Sequence, residues 1–163
     1  QFPRERPYMI RIRSIDKSLC LLGLALGLAV GGALAQNAPQ PKLDTVTLNA
    51  GMHNIRAEVA RTPMQTQIGM MFRREMAQHE GMLFIFDGVG RRCFWMKNTL
   101  LPLSIAFIAD DGRVVSLADM QPQSEESHCS AEPVRFALEM NQGWFAKRGV
   151  KPGSRIGGTP FRK

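Results

Sequence analysis

After residue 44 the apolar positions fall into short runs, mostly with a period of two, as in strands that bury one face. Val46 and Leu48 alternate with threonines and lead into a turn at Asn49-Ala50-Gly51. In residues 53–60, Ile55, Ala57 and Val59 alternate with Arg56 and Glu58, so a half-wet strand is expected. Gly81-Met82-Leu83-Phe84-Ile85-Phe86 is an unbroken apolar run, the pattern of a central strand buried on both faces. Asp87-Gly88-Val89-Gly90 is expected to turn this strand back into a partner over residues 91–96. Leu103, Ile105 and Phe107 mark the next strand. Asp110-Asp111-Gly112 has the composition of a tight hairpin turn, and residues 113–120 return from it. Val134, Phe136, Leu138 and Met140 alternate with Arg135 and Glu139 as another half-exposed strand, and residues 154–156 form a last short piece.

Helical spacing appears twice. Thr62-Pro63 reads as a helix start, with a capping hydroxyl followed by a residue that needs no backbone partner. Met64, Ile68, Met71 and Phe72 then fall on one stripe, expected to be buried. Asn141 is expected to cap a short helix through Trp144 and Arg148, ended by Gly149. Six to seven strands in hairpin order with two short helices predict a mainly β fold, a compact antiparallel β-sandwich or barrel. It forms one domain over residues 43–163.

A different pattern stands ahead of this one. Arg11, Arg13 and Lys17 precede an apolar run over residues 19–34 that ends in Ala33-Leu34-Ala35, the three parts of a secretory signal peptide. The run is shorter than the ~20 apolar residues of a spanning helix, which leaves an uncleaved anchor as the alternative membrane association. Lys17 stands three residues before Cys20, where a lipidation motif needs leucine, so a lipid anchor is not expected. Met9 is the expected translation start, and residues 1–35 the expected signal peptide. A Pro- and Gln-rich flexible leader follows over residues 36–42. The expected location is periplasmic or secreted.

The formal charge is +7 over 163 residues, but the leading 35 residues hold five of the Lys/Arg and two of the Asp/Glu. The remainder carries no Lys/Arg block, so nucleic acid is not an expected partner. In an oxidising compartment Cys93 and Cys129 are expected to form a disulfide closing a loop of about 35 residues, worth ~3–4 kcal/mol in the chain-entropy model. Their rival use, a metal site with His128, lacks the paired C-x-x-C spacing of zinc sites. The chain has ten methionines, and thioethers can hold Cu(I), so periplasmic metal handling is a third reading. The core-like spacing of most of these residues speaks against it. No cofactor and no metal are expected.

Three blocks carry a family resemblance. The first runs from Thr62-Pro63 through Gly69-Met70-Met71-Phe72-Arg73, and the second is Gly81-Met82-Leu83-Phe84. The third is Phe94-Trp95-Met96-Lys97-Asn98-Thr99 with Pro102-Leu103 and Ile105-Ala106-Phe107. With Arg135-Phe136-Ala137-Leu138-Glu139 and Gly143-Trp144, they make the chain resemble the DUF192 family. That resemblance implies a compact, mainly β fold and an extracytoplasmic home, and it supplies no reaction.

The richest chemistry lies in the third block. Lys97, Asn98 and Thr99 at a strand exit offer donors to an anion or a sugar, and Trp95 offers a stacking face. The competing reading makes Asn98 and Thr99 turn residues and packs Trp95 inside. No nucleophile elbow, zinc helix or phosphate loop is present. An enzyme would need Lys97 and Asn98 beside a carboxylate, with Asp119 or Glu139 as candidates. The sequence thus predicts a monomeric, non-catalytic binding or envelope-accessory module. Its partner would be an unknown small ligand or cell-envelope component.

Overall fold

The computed structural model describes residues 38–161; the expected signal peptide lies outside them. Seven strands form one curled sheet, a half-barrel: β1 (Thr45–Ala50), β2 (His53–Ala60), β3 (Glu80–Gly90), β5 (Leu103–Ile108), β6 (Val114–Met120), β8 (Val134–Asn141) and β9 (Ile156–Gly157). They lie in the order β6-β5-β8-β3-β2-β1-β9, while β4 (Cys93–Phe94) and β7 (His128–Cys129) form a separate two-stranded sheet. Helices α1 (Pro63–Ile68) and α2 (Trp144–Lys147) complete the fold.

The fold is mainly β, as expected, but the main sheet is mixed. β2 and β3 run parallel, Arg56 opposite Glu80 through Ala60 opposite Phe84. Parallel neighbours cannot be joined by a tight turn, so the chain crosses over the sheet between them, and α1 lies in that crossover. Thr62 caps it as its sequence predicts. Its hydroxyl accepts from the Gln65 N–H at 3.2 Å while the Gln65 side chain accepts from the Thr62 N–H at 3.0 Å, a reciprocal capping box. In the stretch expected to be a leader, Gln40 is buried. Its amide donates to the carbonyls of Gln65 and Gly69 at 3.1 and 2.9 Å, satisfying the far end of the same helix.

The sheet buries apolar residues on both faces. Leu83 and Leu138 join Leu48, Ile55 and Trp144 on one side. Met82, Phe84 and Ala137 join Ile105, Phe107 and Met96 on the other. The unbroken apolar run is therefore a central strand, as expected. The Asp110–Gly112 hairpin also forms, with Gly112 at φ 85° and β5 paired to β6 from Leu103–Met120 to Ile108–Val114.

Three expectations fail. Asp87 to Gly90 make no hairpin, because neither Gly88 nor Gly90 adopts the positive φ that a two-residue hairpin turn demands. β3 instead runs on to pair Gly90 with Val134, and β4 pairs with β7. Asn141 does not cap α2. It ends β8 and donates its amide to the Met76 and Ala77 carbonyls, while Gly143 at φ 76° starts the helix. The stripe of Met64, Ile68, Met71 and Phe72 is not buried: no residue of α1 is, and Met64 is 69% exposed.

Candidate functional site

That uncovered stripe faces the crest left by β4. Met96 is fully buried, and the chain turns at once, the Thr99 N–H donating to the Met96 carbonyl at 3.0 Å. Asn98 sits in the turn at φ 56°, a left-handed conformation that asparagine tolerates better than most residues. Its carbonyl accepts from the Phe72 N–H at 2.9 Å, and the Thr99 carbonyl accepts from the Gln123 N–H at 3.0 Å. The crest is thus bound on one side to the end of the crossover and on the other to the loop before β7. Thr99 is buried and serves the turn.

Trp95 is 48% exposed, so it does not pack inside. The Lys97 ammonium lies 5.2 Å from its ring centroid and 3.4 Å from the Glu125 carboxylate. Across from them, Met64, Ile68, Met71 and Phe72 close a groove of about 440 Å³ whose polar edge is Lys97 and Asn98.

A second cavity of about 340 Å³ lies on the other side of Trp95. Thr66 and Gly69 to Met71 flank it, and Phe84, Phe86, Phe94, Thr99 and Glu139 line its interior. Arg91, Arg92 and Cys93 line it as well. The two cavities share Gln67, Ile68, Met71 and Trp95 as a common wall.

Glu139 is the unusual residue of this inner cleft. Its alternation with apolar neighbours predicts a wet position, but β8 lies between β5 and β3 with both of its faces covered. Across the ladders Glu139 is opposite Met82 and Ile105, and it is 4% exposed. Its Oε2 has no hydrogen-bond partner. Burial pushes its carboxyl up to about 8, so at neutral pH it keeps its proton.

The expected carboxylates do not meet Lys97. Asp119 is exposed on β6 and accepts from the Ser104 hydroxyl, which in turn accepts from the Gly143 N–H at 2.8 Å. The acid beside Lys97 is Glu125, from the polar loop before β7, which was not among the candidates. Cys93 and Cys129 are directly opposite in the β4–β7 pair and joined by a disulfide. Both thiolates of the alternative metal site are thereby consumed. The outer groove therefore gathers Trp95, Lys97 and Asn98, the inner cleft takes Thr99 and Glu139, and Asp119 belongs to neither. Met64, Ile68 and Met71 were visible in the sequence as a stripe but assigned to the core. Arg92 gave no signal beyond its charge.

Fold and site together define a small β-rich domain with one disulfide and an open two-part cleft beside a half-exposed tryptophan. Residues 45–158 match the model of DUF192, described as Uncharacterized ACR, COG1430, and the chain belongs to that family. It is similar in structure to a candidate transcription regulator from Sinorhizobium meliloti 1021, with a TM-score of 0.71 and 37% identity over 75% of this chain and 99% of that one. It is also similar to a protein of unknown function from Novosphingobium aromaticivorans DSM 12444, with a TM-score of 0.66 and 34% identity over 78% and 99% of the two chains. No curated protein matches it.

Proposed function

We propose that the protein is a non-catalytic binding module of the cell envelope. In this reading a small ligand lies against Trp95, with its polar edge toward Lys97 and Asn98. The observation that carries it is the exposure of Trp95 opposite an exposed Met64. Burying a large aromatic face stabilises a fold by about 1.5–3 kcal/mol, so leaving one open over a groove needs a use. A sugar ring or similar amphipathic molecule has the matching faces, apolar for the indole and hydroxylated for the amide and ammonium. A transcription-regulator role, as described for the Sinorhizobium protein, is not supported by the helices of this chain. Helices of six and four residues are poor candidates for reading a DNA groove.

The proposal includes export, supported by the signal-like segment over residues 1–35 and by the disulfide. A thermal-shift screen of the full chain with sugars, peptidoglycan fragments and anions tests the binding. A ligand that raises Tm for the wild type but not for Trp95→Ala supports the reading. Equal shifts in both, or none in either, reject it. Recovery of the protein in the cytoplasmic fraction alone would reject the envelope location.

A further inference from the structure

We propose that the inner cleft is a binding site for a small organic carboxylate, held by its charge at Arg91 and Arg92 and by an uncharged acceptor oxygen at the Glu139 carboxyl. The inference goes beyond the sugar-like ligand proposed for the outer groove and concerns the cavity on the other side of Trp95.

Two unsatisfied groups of opposite character line the same cavity. Arg92 is held in place, its guanidinium donating to the Gly88 carbonyl and lying 4.2 Å from the Phe86 ring centroid, yet its Nε is buried and has no partner. A guanidinium fixed in this way at the cavity wall is suited to receive a carboxylate through charge-assisted hydrogen bonds. Arg91 beside it is exposed, and neither arginine forms an ion pair among the described residues.

Glu139 is the second group. A buried polar atom without a partner costs free energy that a ligand can return. A cationic ligand would also satisfy a carboxylate, but the two arginines of the same cleft oppose a cation and favour an anion. The carboxyl therefore acts as a donor, and its complement is a carbonyl, ether or hydroxyl oxygen. Between the two ends Phe84, Phe86 and Phe94 supply an apolar lining. The volume of about 340 Å³ is at the small end of the range of roughly 300–1,000 Å³ for small-molecule sites.

Binding is then proton-linked. From β3 and β5 the residues facing Glu139 are Met82 and Ile105, the crossover offers Gly69 and Met70, and the crest offers Phe94 and Thr99. None of these carries a titratable side chain, and Cys93 is oxidised. Glu139 is the one carboxylic acid lining the cleft, it loses its proton between neutral pH and pH 9, and its ionised form cannot donate.

Isothermal titration of the full chain with four matched probes decides the matter. 4-Acetylbenzoate carries both features, 4-methylbenzoate lacks the acceptor, 4-methylacetophenone lacks the charge, and 4-acetylbenzylamine reverses it. The expected order puts 4-acetylbenzoate at least tenfold tighter than the other three at pH 6.5. Its affinity should fall at least tenfold at pH 9. Arg92→Gln should lose that preference, and Glu139→Gln, which keeps an N–H donor in the same shape, should bind with no pH dependence. Preference for the amine, equal binding of all four, or no binding of any overturns the proposal. That failure, beside a sugar that binds through Trp95 and is indifferent to Arg92→Gln and Glu139→Gln, would leave the envelope-binding reading standing.

Discussion

The Phe72 N–H donates to the Asn98 carbonyl at 2.9 Å, and both residues are left-handed, at φ 63° and 56°. Left-handed backbone costs an ordinary residue roughly 1–2 kcal/mol. Two such residues therefore hold each other at the point where the crossover meets the crest. Asn98→Ala should lower stability by about 1 kcal/mol in urea denaturation, whereas Asn98→Gly should cost less. Equal losses would mean that the side-chain amide, rather than the backbone conformation, is what the turn needs.

Glu139 makes stability fall with rising pH. Between its ordinary 4.5 and about 8 the unfolded chain has lost this proton while the folded chain keeps it. Folding thus takes up a proton across that window, and the penalty is complete above pH 8. Glu139→Gln removes the penalty, a gain on the order of 4–5 kcal/mol at pH 9 that shrinks toward zero near pH 4. Denaturation curves at the two pH values check it; a gain independent of pH would contradict the buried acid.

Glu58 acts in the opposite direction. Burial pushes its carboxyl up, but the Leu43 N–H and the charges of Lys42 and Arg73 outweigh this and hold it below 4.5. Its contribution is present above the unfolded value and disappears as pH falls through the lower folded one. Arg73 lies 2.8 Å from Glu58, and the two side chains, 8% and 11% exposed, are buried together. Arg73→Met should cost about 3 kcal/mol near neutral pH by stranding the acid. The loss should narrow in acid, which denaturation at pH 7 and pH 3 would show.

The disulfide spans 36 residues of sequence, from Cys93 to Cys129. Its loss should cost about 3–4 kcal/mol in the chain-entropy model. Comparing wild type with Cys93→Ser/Cys129→Ser in urea, with and without a thiol reductant, checks this. The thiol should affect only the wild type.

Strand identity was legible because period-two alternation survives wherever one sheet face is wetter than the other. Ile55, Ala57 and Val59 on β2 show this directly, while the centre of β3 was legible instead as an unbroken apolar run covered on both faces. Pairing was less legible. Asp87-Gly88-Val89-Gly90 has hairpin composition, but the partner strand was taken elsewhere, by β7, through contacts distant in sequence. The Met64, Ile68, Met71 and Phe72 stripe has the right period for a buried helix face, and periodicity cannot say whether anything covers that face. Of the site, Trp95, Lys97 and Asn98 were visible as a cluster in one stretch of chain. Glu139 was proposed as a partner for Lys97, but its alternation suggested water, and only the stacking of β8 between two covered strands makes it a buried acid. The placement of Asp119 away from Lys97 likewise follows from the β5–β6 register, which sets it against Ser104.

The parallel pairing of β2 and β3 separates two structural tasks. Any sequence with this strand order must carry a length of chain across the sheet, and that bridging segment forms one wall of both cavities. Its outward side chains, Met64, Gln67, Ile68 and Met71 among them, take no part in the ladders that define the sheet. Exchanging them would reshape the cavities while every strand pairing stays intact, so the walls of the clefts and the frame of the sheet are set by different residues.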